Sequence, residues 1–175
     1  IAGYQNELKK SYDLYKESLE IRRQTDDKYA IANSLNNLGN AALKLGDIDE
    51  ARERLEEALG YQKQVGDQWG IANALNNLAN CARTQKNYEE AIDLYYQSLM
   101  IFRDLGDKWA LSYLLEDIGV LHSLLGEPIL SIKLIAAAAA LREQIGSPLP
   151  PVEQEKLDSL LVNLESSVTA PQQKA

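Results

Sequence analysis

Residues 29–68 read YAIANSLNNLGNAALKLGDIDEARERLEEALGYQKQVGDQ, and residues 69–108 read WGIANALNNLANCARTQKNYEEAIDLYYQSLMIFRDLGDK. Laid over each other without a gap, the two stretches share 14 of 40 residues, among them Ile31/Ile71, Asn36/Asn76, Leu38/Leu78, Ala51/Ala91 and Gly66/Gly106. Residues 109–148 continue in the same register. They share only 5 of 40 positions with the second copy, but these include Trp69/Trp109, Leu75/Leu115 and Gly106/Gly146. Going backwards, residues 6–28 match the second half of a repeat, with Ser11, Tyr15 and Leu19 standing forty before Ala51, Leu55 and Leu59. The chain therefore enters mid-repeat. It also begins at Ile1 rather than Met, so it is expected to be a piece of a longer protein. A fixed period of this size means one supersecondary unit stacked on copies of itself.

Each repeat reads as two helices. Asp27, Asp67 and Asp107 are N-cap residues for a first helix that ends near Gly46, Lys86 or Gly126. The second helix starts after Asp47, Asn87 or Glu127. Asp47-x-x-Glu50 and Asn87-x-x-Glu90 have capping-box spacing. Pro128 stands where a missing N–H is harmless. Gly66, Gly106 and Gly146 end the second helix, because glycine accepts the left-handed conformation a helix stop requires. After Pro148, Pro150 and Pro151 one more amphipathic helix, residues 150–168, carries Leu157, Leu160, Leu161, Leu164 and Val168 on a single face. A stacked repeat leaves its last apolar face bare, and a terminal helix covers it. Burial of four leucines there is expected to contribute on the order of 6–12 kcal/mol before entropy. The expected architecture is all-α: a right-handed superhelical solenoid of antiparallel helix pairs in a single domain, 1–170. It comprises a half-repeat (6–28), three repeats (29–68, 69–108, 109–148), the capping helix and a frayed tail from 169 to 175, the fraying beginning near Ser166.

Leu35-x-x-Leu38-Gly39-x-x-Ala42 followed by Ala51-x-x-x-Leu55 and Ala58 resembles the tetratricopeptide repeat (TPR) signature. The second copy offers Leu78, Ala79, Ala82, Ala91, Tyr95 and Ser98, and the third Ile118, Gly119, His122, Ser131, Ile135 and Ala138. The resemblance covers about 140 of the 175 residues and departs from the family's usual period of 34. Forty residues is similar to the longer-helix variant, the Leu-Gly-Asn repeats of scaffolds that organise G-protein and spindle-orientation complexes. The stretch from Leu141 to Pro151 resembles the end of TPR regions in large bacterial signalling ATPases and transcriptional regulators. The resemblance implies a protein- or peptide-binding arm of a cytoplasmic regulator.

Composition narrows the chemistry. With 45% apolar and 25% charged residues the chain is of globular type. One cysteine, Cys81, and one histidine, His122, leave no internal disulfide and no two-histidine metal site. A net charge of −8 repels phosphate backbones, so nucleic acid is not an expected partner. No apolar run approaches a membrane span, and no secretory signal opens the chain. There is no Gly-rich phosphate loop, no Gly-x-Ser-x-Gly elbow and no His-Glu-x-x-His. No catalytic residue, metal or cofactor is expected.

The candidate site is a stripe of amides. At about 100° per residue, Asn33, Asn36, Asn37 and Asn40 share one arc, opposite Ile31, Leu35, Leu38, Ala42 and Leu45. Asn73, Asn76, Asn77 and Asn80 repeat the stripe, Lys44 and Thr84 extend it, and Arg83 lies at its edge. Asparagine is less favourable than alanine inside a helix by up to about 0.7 kcal/mol, so another interaction must offset the set. Two readings stay open. The amides line a concave groove and grip the backbone of an extended peptide, or they hydrogen-bond to each other and tie the stack. The third copy replaces them with Tyr113, Glu116, Asp117 and Val120. Glu116 and Asp117 would accept a basic side chain, with Tyr113 beside them for an apolar one; otherwise they are solvated helix charges.

Other residues read as structural. His122 stands on the core stripe, Cys81 as a small buried thiol, and Trp69 and Trp109 as packing between repeats. Asp47–Glu57 reads as a solvated outer face. Leu8, Tyr12, Tyr15 and Leu19 lack their helix partner, which leaves an apolar face where this fragment would form a homodimer without biological meaning. Separately, the alternative to a docking groove is a self-assembly arm of a multidomain signalling ATPase or transcriptional regulator.

Overall fold

The computed structural model describes residues 2–169, with side chains from residue 6 onward. Among these residues there are eight α-helices and no strand: α1 (Ala2–Gln24), α2 (Lys28–Leu45), α3 (Ile48–Val65), α4 (Gln68–Thr84), α5 (Tyr88–Leu105), α6 (Lys108–Leu124), α7 (Pro128–Ile145) and α8 (Pro151–Thr169). Thr169, placed in the frayed tail by sequence, closes α8, and residues 166–168 are helical as well; the rest of that tail lies outside the described residues.

Two-residue connections separate α2 from α3, α3 from α4 and α5 from α6, and in them one residue serves both sides. Gly46 has φ of 89° and Gly66 of 71°, both left-handed. The N–H of the following aspartate then donates to the helix it leaves, Asp47 to the Ala42 carbonyl at 3.0 Å and Asp67 to the Gln62 carbonyl at 3.0 Å. This six-to-one bond satisfies a carbonyl that the helix end would otherwise strand. The same aspartates cap the next helix: Asp47 Oδ1 accepts from the Glu50 N–H at 3.2 Å, Asp67 Oδ1 from Gly70 and Asp27 Oδ1 from Ala30, both at 3.0 Å. Lys86 takes the turn position without glycine, at φ of 62°, a conformation that costs a non-glycine residue about 1–2 kcal/mol. Glu127 does not cap α7. Its carboxylate turns back to His122, 2.7 Å from Nδ1.

The chain divides into two compact units, Ile1–Ile101 and Phe102–Ala175. In unit 1, α2 and α3 pair through Leu35, Leu38, Ala42, Ala51, Leu55 and Ala58, all at most 1% exposed. Gly39 is required by that pairing, because a Cβ there would stand 2.7 Å from Leu55 Cγ. Cross-helix ties support the packing. Tyr12 of α1 donates to Glu50 of α3 at 2.5 Å, and burial together with this carboxylate pushes the Tyr12 phenol up to about 12. Arg52 of α3 grips both oxygens of Glu90 of α5 at 2.8 and 3.0 Å. Arg23 of α1 holds Glu57 at 2.7 Å. The segment from Asp47 to Glu57, read from sequence as a solvated face, is therefore partly a set of clamps between helices.

The open apolar face expected on α1 is also mostly covered. Leu19 is 3% exposed against α2, and Tyr12 packs between core clusters; Leu8 is half-buried and Tyr15 remains exposed. Trp69 and Trp109, expected between repeats, are 41% and 49% exposed. Each lies in the first turn of its helix.

In unit 2, α6 and α7 pair through Leu114, Leu121, Ile135 and Ala138, and a Cβ on Gly119 would meet Ile135 Cγ1 at 2.9 Å. The terminal helix departs from expectation. Of the α8 face only Leu164 is buried; Leu157, Leu160 and Leu161 are half-buried and Val168 is exposed. The cause is the surface that α8 meets. Helix α7 presents Ala136 and Ala139 there, and alanines cannot reach across to fill the gap.

Candidate functional site

The asparagine stripe lies on α2 and α4 of unit 1. The two helices touch, and their carboxamides interlock. Asn36 Nδ2 donates to Asn73 Oδ1 at 3.2 Å, Asn77 Nδ2 donates to the same oxygen at 2.9 Å, and Asn77 Nδ2 reaches Asn36 Oδ1 at 3.4 Å. Asn73 and Asn77 are one turn apart on α4 and bracket Asn36 of α2. Asn36 and Asn77 are 9% and 7% exposed, so their amides sit within this contact rather than in solvent. Burying an amide is tolerable only when it is hydrogen-bonded.

The other amides divide. Asn80 is half-buried; its Oδ1 accepts from the Tyr95 hydroxyl and from Arg83 Nη2, each at 2.7 Å. Asn33, Asn40 and Asn76 are half-buried, while Asn37 and Lys44 are exposed. Among the described residues, none bonds to the side-chain amides of Asn33, Asn37 or Asn40. These three recur at spacings of four and three, and so line one face of α2.

In unit 2 the corresponding positions of α6 carry Tyr113, Glu116 and Asp117, all half-buried. Tyr113 and Glu116 meet a residue that sequence reading did not single out. Arg142 of α7 is 6% exposed. Its Nη1 donates to Glu116 Oε1, and its guanidinium carbon lies 4.7 Å from the centroid of the Tyr113 ring, a cation–π contact. The Tyr113 ring packs in turn on Trp109, with centroids 4.8 Å apart. Burial pushes the Glu116 carboxyl up from the ordinary range, and Arg142 opposes that rise. The repeat register held the signal for Arg142. Forty and eighty residues earlier stand Phe102 and Gln62, 3% and 1% exposed, so position 142 is a core position carrying a charge.

The remaining candidates offer no reactive chemistry. Cys81 is fully buried, and burial pushes its thiol up to about 11, away from the thiolate. Among the described residues there is no group of three or more His, Cys, Asp or Glu side chains placed to hold a metal. No helix among them is long and apolar enough to cross a membrane.

Two family models, both described as tetratricopeptide repeat, match residues 2–64 and 36–104. The chain belongs to the tetratricopeptide repeat family. Neither matched TPR model is an enzymatic family. A search against curated proteins finds no match. Solved structures give the fold. BtubC (BKLC) from P. vanneervenii is similar at 20% identity with a TM-score of 0.77, over 95% of this chain and 68% of that one. Aspartyl phosphate phosphatase F from Bacillus subtilis is similar at 17% identity and a TM-score of 0.72; the match takes in 94% of this chain and 46% of that one, so this chain spans about half its length. A putative kinesin light chain from Podosopora anserina, with nearly identical TPR-like repeats, is similar at 14% identity and a TM-score of 0.63 over 97% of this chain and 93% of that one. At these identities the likeness is one of fold: stacked helix pairs of the TPR-like solenoid class.

Proposed function

We propose that this TPR chain is a non-enzymatic scaffold that docks an extended segment of a partner protein on the carboxamide face of α2 and α4. The observation that carries this reading is the division of the stripe. Asn36, Asn73 and Asn77 hold one another, which fixes the helix face, while Asn33, Asn37 and Asn40 stand on that face with unengaged amides. A primary amide has donors and an acceptor, the complement of a peptide backbone. A row of them on a rigid helix matches an extended chain with little ordering cost. Lys44 and Arg83 at the margin favour an acidic residue in the bound segment. In unit 2, Asp117 and Glu116 form the acidic counterpart, although a basic side chain would compete with Arg142 for Glu116. The resemblance of residues 141–151 to the end of TPR regions in bacterial regulators supports reading the scaffold as an arm of a larger, cytoplasmic signalling protein.

The test is selection of binding peptides from a displayed library against the chain, followed by affinity measurement with the Asn33→Ala, Asn37→Ala, Asn40→Ala triple variant. The reading requires a loss of about tenfold or more, equivalent to one or two neutral hydrogen bonds, with an unchanged melting temperature. Equal affinity rejects it. A Glu116→Lys, Asp117→Lys variant asks the same of the acidic cluster with peptides that carry lysine or arginine. A second reading, self-assembly, rests on Leu14 and Ile21 of α1, 56% and 57% exposed. Light scattering on the chain and on a Leu14→Glu, Ile21→Glu variant decides it: a dimer that the variant abolishes supports assembly, and a monomer in both rejects it.

A further inference from the structure

Between α7 and α8 in unit 2 runs a mostly apolar groove of about 530 Å³. Ile132, Ala136 and Ala139 line it from α7, and Leu157 and Leu161 from α8. On each helix these residues stand three or four apart, the spacing of one helix face. On α7 the lining continues to Glu143, eleven residues from Ile132, or about 16 Å of helix. The groove is open rather than enclosed: Ala136 and Ala139 are exposed, and Ile132, Leu157 and Leu161 are half-buried. Its charges are unbalanced. Glu116 and Arg142 answer each other. Glu143 and Glu165 are exposed, and among the described residues neither carboxylate has a hydrogen-bonding or charged partner.

We propose that this groove docks an amphipathic helix of a partner protein, with apolar residues at heptad spacing on its buried face and lysine or arginine along the edges of that face. Three considerations select this occupant. A helix bonds its own backbone internally, whereas an extended chain laid along the apolar stretch would strand its N–H and C=O groups. A small ligand ordinarily has about 70–90% of its surface buried, and exposed alanines do not enclose one. A second copy of the chain brings a net charge of −8 to a lining with two uncompensated carboxylates, while a basic helix complements them. The partner's apolar side chains fill the space that Ala136 and Ala139 leave, and they cover Leu157 and Leu161. The groove is separate from the amide face of α2 and α4, and either proposal can fail alone.

The test is titration of the whole chain with a synthetic helical peptide of about five turns, with Leu at heptad positions a and d, Lys at e and g, and Ala or Gln elsewhere, followed by NMR of isotope-labelled methyl groups. Saturable shifts are expected at Ile132, Ala136, Ala139, Leu157 and Leu161. The same peptide with Glu in place of Lys is expected to bind at least about threefold more weakly at low salt, a difference that shrinks as salt is raised. The Glu143→Lys, Glu165→Lys double variant is expected to reverse that preference, which attraction to the chain's overall negative charge would not do. Ala139→Trp, at an exposed position, is expected to fill the groove and abolish binding. Absent or unsaturable shifts, shifts spread over the whole surface, a preference unchanged by the double variant, or full binding to Ala139→Trp would each overturn the proposal. So would octylamine binding as tightly as the peptide, which would give the groove to a small ligand. Movement of the same methyl groups with chain concentration alone would give it to a second copy and overturn the proposal as well.

Discussion

The polar face of α2 and α4 and the matching positions of α6 come from one repeat pattern, yet they are built from different chemistry. On α2 and α4 the residues are neutral amides that answer one another, with Asn36, Asn73 and Asn77 joined by bonds of 2.9 to 3.4 Å. On α6 the residues are Tyr113, Glu116 and Asp117, and Glu116 needs a guanidinium brought from the core of α7. Self-complementary groups close a polar contact without importing anything. A buried carboxylate requires a counter-charge, and that counter-charge has more donors than one carboxylate oxygen satisfies. The first arrangement yields a rigid face with neighbouring amides to spare. The second yields a buried cation beside an apolar cleft.

The largest expected effect sharpens this contrast at the level of packing. Leu55→Ala removes a fully buried side chain from the α2–α3 contact and is expected to cost about 2–5 kcal/mol. Leu157→Ala in the half-filled α8 interface is expected to cost roughly 1 kcal/mol or less, since only part of its surface is covered. Urea melts of the two variants check this; equal losses would mean that α8 is packed as tightly as the repeat core.

Next comes the charged pair. Arg142→Met alone strands a buried carboxylate and is expected to cost about 3 kcal/mol at neutral pH. Adding Glu116→Gln is expected to restore most of that loss, and a double-mutant cycle reads the coupling. The amide network should respond less. Asn36→Ala removes two cross-helix bonds and is expected to cost about 1–3 kcal/mol, against about 0.5 kcal/mol or less for exposed Asn37→Ala. Thermal melts that fail to separate these two would break the distinction between frame and free amides.

The smallest effect is one of sign. The Glu90 carboxyl is held down chiefly by its hydrogen bond to Arg52. Its contribution is present above the unfolded carboxyl pKa and fades as pH falls through the lower folded value. Glu116 is raised by burial. Its contribution is present below the unfolded value and is lost as pH rises through the folded one. On acidification from neutral pH, Glu90→Gln is therefore expected to remove part of a loss of stability, and Glu116→Gln part of a gain. The Glu90 effect is of about 1 kcal/mol or less, because that carboxylate is a third exposed and screened by solvent. Denaturant titrations at stepped pH read both signs.

The local signals in the sequence were strong where one residue acts on its own backbone. Asp27, Asp47 and Asp67 cap helices because an aspartate after a left-handed turn has little else to bond. The packing role of Gly39 followed from its place as the small residue after Leu38 in the TPR-like pattern. Effects that depend on a second helix were harder to read. Nothing in the run from Asp47 to Glu57 says that Arg52 reaches Glu90, although 38 residues is nearly one repeat and so places the two in neighbouring units of the stack. The apolar stripe of α8 looked like a sealed cap because its periodicity is good; its exposure depends on the small side chains of α7. For the amides the pattern showed a shared face, but it could not say which would be absorbed by the contact between α2 and α4. Arg142 escaped notice because arginine reads as surface, while its register with Phe102 and Gln62 pointed inward.

The most direct measurement is on the side-chain amide resonances of Asn33, Asn37 and Asn40, observed while a library-selected peptide is titrated into the intact chain. The account predicts saturable shifts of these three NH2 groups, with those of Asn36 and Asn77 kept in their slow-exchanging, bonded positions. Peptide binding that leaves all three unmoved, or that shifts only α1, would contradict it.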